Sequence, residues 1–113
     1  MYEALSELNK TTGVTGSMIV GEDGIVIAAD LDESVEEEAV GALAASISSN
    51  IRKSLDRLNA TPLTDVTVEA AYGKLFMAEV GVGMLVVTTE PDVNMGLIRL
   101  EMKNAASKIT VMA

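Results

Sequence analysis

The sequence has no cysteine and no histidine. The first absence excludes disulfide frameworks and thiolate nucleophiles. The two together exclude Cys/His zinc sites, Ser–His–Asp triads and imidazole general bases. Tryptophan is missing too, and aromatic content is 3%, carried by Tyr2, Tyr72 and Phe76. The core must therefore be aliphatic. Bases are scarce: eight Lys and Arg stand against 17 Asp and Glu, a net charge of −9. That balance repels phosphate backbones and anionic bilayers, so no nucleic acid and no membrane surface is expected as a partner. Long apolar runs are also absent. The longest uncharged stretch is Ala39–Ile51, 13 residues broken by serine and asparagine, well short of the roughly 18–20 apolar residues of a membrane span. The opening MYEALSELNK carries acids and no apolar run, unlike a secretory signal. A soluble, cytoplasmic protein is expected.

What is present is a chain of 113 residues, 49% apolar. That is long enough to bury a core, and a single domain over residues 1–113 is expected. Leu5 and Leu8 give a short helix within Tyr2–Thr12, stopped at Gly13. Val14–Val20 and Ile25–Ala29 flank Glu22-Asp23-Gly24, a strong hairpin signal because glycine tolerates positive φ. In the second arm Val26 and Ala28 face one way, and Ile25, Ile27 and Ala29 the other. Both faces are apolar, so layers should cover this sheet on both sides.

A long helix follows. Ser34-Val35-Glu36-Glu37 fits a capping box. Val40, Leu43, Ala44, Ile47, Ile51, Leu55 and Leu58 form one apolar stripe, and the helix should end near Leu58–Ala60, before Pro62. Eight of the twelve residues in Ala39–Asn50 are small. Ala42, Ala45 and Ser49 lie opposite the stripe, where a merely solvated face would carry Lys and Glu. Small side chains there point to close approach by another surface. Asp65–Tyr72 alternates like an edge strand, Leu75–Val80 is the next strand, and the nearly all-apolar Met84–Thr89 should be central. The last helix starts after Pro91 with Asp92 as its N-cap and a stripe of Met95, Ile98, Met102, Ala105 and Ile109. Short turns join the strands, so the sheet should be largely antiparallel with helices on both faces.

Catalytic signals are weak. Gly73-Lys74 and Gly81-Val82-Gly83 lack the spacing of phosphate or dinucleotide loops. Asp30-Leu31-Asp32-Glu33-Ser34 begins like a calcium loop, but its sixth position is Val35 and its twelfth Gly41. Residues 22–38 hold eight acids and no base, yet these sit at a turn and a helix start, where they are solvated or capping. The methionines are scattered and read as core filler. No catalytic residue, metal ligand or cofactor is expected, and the protein is not expected to be an enzyme.

The order of motifs is Leu5-x-x-Leu8, Gly13-Val14-x-Gly16, Asp23-Gly24-Ile25-Val26-Ile27-Ala28, the Ala-rich helix, Val66-Thr67-Val68-Glu69, Gly73-Lys74-Leu75-Phe76-Met77, Leu85-Val86-Val87 and Asn94-Met95-Gly96-Leu97-Ile98-Arg99. It resembles the roadblock/dynein-light-chain domain family in its stand-alone prokaryotic form. The resemblance implies an α/β fold: a five-stranded antiparallel sheet with one long helix on one face and two terminal helices on the other. It implies a homodimer with paired long helices and third strands, and an interface on Ala42, Ala45, Ser46, Ser49, Val66, Val68 and Ala70. It further implies a non-catalytic regulator or scaffold of a Ras-like small GTPase, able in some members to stimulate GTP hydrolysis. The partner-binding residues would be Glu38, Ser49, Arg52, Lys53 and Asp56. A small-ligand sensor or a general protein-interaction module with no GTPase client is the alternative.

Overall fold

The computed structural model describes residues 1–33 and 35–112. The elements run α1 (Tyr2–Asn9), β1 (Val14–Val20), β2 (Val26–Leu31), α2 (Glu37–Arg57), β3 (Asp65–Ala70), β4 (Gly73–Glu79), β5 (Met84–Thr89) and α3 (Met95–Met112). The five strands form one sheet in the order β2-β1-β5-β4-β3, with every neighbouring pair antiparallel. β5 is central and β3 is an edge, as the apolar run and the alternation predict.

The hairpin turn forms where Asp-Gly places it. Gly24 takes φ +84°, and the Ile25 N–H donates to Asp23 Oδ1 at 3.0 Å. The face assignment of β2 needs correction. The β1–β2 register shifts between Ile19 and Val20, so Ile27 has no partner residue. This bulge breaks the period of two: Val26 packs with the α2-side core and Ala28 with the opposite core.

Two cores result. On one face, α2 covers Met18, Val20, Met77, Met84 and Val86. On the other, α1 and α3 bury Leu5, Leu8, Ile98 and Met102 against Ile19, Phe76, Leu85 and Val87. Met18, Met77, Met84 and Met102 are thus core filler.

The helix ends differ in detail from the sequence reading. α1 stops at Asn9. α2 begins at Glu37 with Glu36 at the N-cap, later than a capping box on Ser34 places it, and Ser34 itself lies outside the described residues. At its other end Asn59 adopts φ +56°. The Asn59 N–H reaches Asp56 O, and the Ala60 N–H reaches Leu55 O at 2.9 Å, a Schellman closure that satisfies the last carbonyls. α3 is capped by Asn94 rather than Asp92: the Leu97 N–H donates to Asn94 Oδ1 at 3.0 Å.

Candidate interaction surface on α2 and β3

α2 lies on the sheet through Gly41, Ala44 and Ser48, which are buried, with Val40, Ile47, Ile51 and Leu55 packed beside them. Part of the small-residue content therefore serves the fold. A Cβ on Gly41 would stand 3.1 Å from Val26 Cγ2 and 3.2 Å from the Gly24 carbonyl oxygen, so a larger residue would have to push the hairpin turn back by a few tenths of an ångström, and glycine seats the helix there without that shift. Leu43 and Leu58, read as members of the buried stripe, are 56% and 73% exposed. Leu43 is one residue, about 100° of helix, from the buried Ala44, and that carries it out of the sheet contact.

The predicted interface residues divide accordingly. Ala42, Ser46 and Ser49 are exposed, as is Ala39. Ala45 is half-buried and faces the hairpin turn: a Cβ on Gly24 would lie 3.4 Å from the Ala45 Cβ. On β3, Val66 is half-buried and packs into the α2-side core, while Val68 and Ala70 are exposed. β3 has β4 on one side and no strand on the other.

The predicted partner-binding residues also divide. Glu38, Lys53 and Asp56 are exposed. Arg52 is engaged within the chain. Its Nη2 stands 2.8 Å from Glu79 Oε2, its Nη1 4.0 Å from Glu22 Oε1, and its side chain keeps 27% of its exposure. It ties α2 to the end of β4 and to the hairpin turn. Sequence reasoning missed Leu43 as a surface residue and gave Arg99 no role beyond its place in a motif. Arg99 Nη2 donates to Thr67 Oγ1 at 3.3 Å, joining α3 to the edge strand. A pairing across 32 positions leaves no signal in the local pattern.

Among the described residues, no three acidic side chains come together as a metal site, and no helix is long and apolar enough to cross a membrane. The arrangement offers contact chemistry: small side chains, a few exposed aliphatics and an open strand edge.

Known proteins share this architecture. The model of the Roadblock/LC7 domain family matches residues 1–89. Uncharacterized protein MJ0310 of Methanocaldococcus jannaschii is 45% identical over 108 residues, covering 96% of this chain and 95% of that protein. Among solved structures, Myxococcus xanthus MglB is similar with a TM-score of 0.91 at 20% identity, over 97% of this chain and 91% of that one. A Roadblock/LC7 domain from Streptomyces avermitilis gives a TM-score of 0.90 at 22% identity, over 100% and 98%. The structural likenesses show the fold, and the sequence match shows the family: the chain belongs to the Roadblock/LC7 domain family.

Proposed function

We propose that this protein is a non-catalytic, homodimeric regulator or scaffold of a Ras-like small GTPase, which docks on the paired α2 helices. One observation carries the reading. The outward side of α2 presents Ala39, Ala42, Ser46 and Ser49 with the exposed Leu43, on a chain whose edge strand β3 is uncovered. Such a face suits close backbone approach by a second helix, and an open edge suits a second strand. Family membership and the likeness to MglB support it.

In this reading Ala42, Ser46, Ser49, Val68 and Ala70 meet the second copy, with Ala45 and Val66 supporting them from beneath. Glu38, Lys53 and Asp56 supply the charged contacts to the GTPase. Arg52 is held by Glu79 and Glu22 and positions the helix.

The test is affinity capture from native lysate, once with a non-hydrolysable GTP analogue and once with GDP. Enrichment of a small GTPase in one nucleotide state is the expected result. A single-turnover hydrolysis assay on the captured GTPase then separates a stimulator from a scaffold. Capture of no GTPase in either state overturns the client and leaves the family assignment intact.

A further inference from the structure

The β3 edge carries enough detail to fix how a second copy seats on it, given the dimeric reading above on which this inference rests. The Glu79 N–H donates to Thr64 O at 2.9 Å. That sets the phase of the β3–β4 ladder. Val66, Val68 and Ala70 turn their backbone groups toward β4, so Asp65, Thr67 and Glu69 present theirs to the open edge. Two copies of β3 related by a twofold axis pair antiparallel, and opposed side chains must share a face. The axis therefore lies midway between two copies of one residue. Within Asp65–Ala70, centring on Thr67 or on Val68 gives the largest and equal overlap.

Charge separates the two registers. Centring on Thr67 sets Asp65 opposite Glu69 of the partner subunit, and the symmetry repeats that like-charge pair. Centring on Val68 sets Val68 against its own copy, Val66 against the partner's Ala70, and Thr67 against the partner's Glu69. Arg99 already reaches Thr67, so the incoming carboxylate arrives beside a guanidinium. Lys74 Nζ stands 3.6 Å from Glu69 Oε1 of its own chain, which leaves each Glu69 between two cations. The same face holds a cavity of about 330 Å³ between β3 and α3, bordered by Thr67, Phe76, Arg99, Met102 and Lys103. We propose that the two β3 strands of this dimer pair in the register centred on Val68, with Glu69 of each subunit bound by Arg99 of the other at the mouth of this cavity.

The absence of native cysteine makes the test direct. In the proposed register position 68 faces itself in a non-hydrogen-bonded pair, with Cα atoms about 4.5 Å apart, inside the range a disulfide bridges. Position 67 meets its copy two residues out of step, roughly 8 Å away, beyond that range. Val68→Cys should oxidise to a covalent dimer at low protein concentration. Thr67→Cys should stay at the level of Ser6→Cys, an exposed control on α1. Light scattering of the unmodified protein runs alongside. A dimer in which Thr67→Cys bridges and Val68→Cys does not overturns the register, as does a dimer in which neither bridges. A monomeric mass overturns the dimeric reading itself.

Discussion

Ser17 is fully buried between apolar neighbours in β1, where an unpaired hydroxyl is costly. It donates to Asn9 Oδ1 at 2.7 Å, and Asn9 Nδ2 donates in turn to Asp30 O at 2.8 Å. One side chain at the end of α1 thus holds two strands. Asn9→Ala removes both bonds and leaves Ser17 a long contact of 3.4 Å to Leu5 O. A loss of about 1–3 kcal/mol is expected, read from urea unfolding as a lower midpoint at unchanged slope. Arg52 behaves differently. Its pair with Glu79 keeps 27% and 33% exposure, so solvent screens it. Arg52→Ala should cost about 1 kcal/mol or less, and the cost should shrink as salt is raised. Neither arrangement was legible in the sequence. Asn9 looks like a helix-end polar residue and Arg52 like a solvated one, because partners distant in sequence impose no local period.

Elements were more legible than residues. Turn chemistry and periodicity name eight elements in the right order, because each apolar pattern has one face to bury and every connection except the one between β2 and α2 carries or adjoins a glycine or asparagine. The corrections arise where a pattern is ambiguous by one step. Leu43 continues a plausible stripe, yet Gly41 and Ser48 take the buried arc. Glycine at 41 lets the helix sit close to the hairpin turn, and hydrophobicity alone ranks a glycine well below a leucine. The bulge at Ile27 is invisible because the inserted residue is as apolar as its neighbours. Capping gives a measurable case. Asn94 rather than Asp92 binds the first turn of α3. Asn94→Ala should cost about 1 kcal/mol, whereas Asp92→Ala should stay within about 0.5 kcal/mol. Thermal unfolding of the two variants side by side checks the assignment.

At the scale of the molecule, the exposure of the proposed contact surface was half legible. The small residues of α2 and the alternation of β3 suggested a face open to a partner, but sequence did not divide those small residues between the chain's own hairpin and the outside. The exposed Ser46 now gives the cleaner probe than the half-buried Ala45. Ser46→Glu should leave the far-ultraviolet circular dichroism unchanged. In sedimentation it should weaken self-association by roughly tenfold or more, since symmetry places both new carboxylates at one contact. An unchanged mass would remove the outer face of α2 from the interface.

The bulge in β2 has a consequence for how far assembly proceeds. A sheet has two edges, and a chain that joins others through both grows without limit. Here β3 is regular and open, while β2, the opposite edge, is broken in register at Ile27. The Asp30 carbonyl there is taken up by Asn9, and the exposed Asp30, Asp32 and Glu33 crowd that end with negative charge. The proposed twofold pairing at β3 would turn both β2 strands to the outside, where kinked backbone and like charge resist the next strand. In that arrangement the β2 edge acts as a stop signal, which favours a closed pair over a fibre.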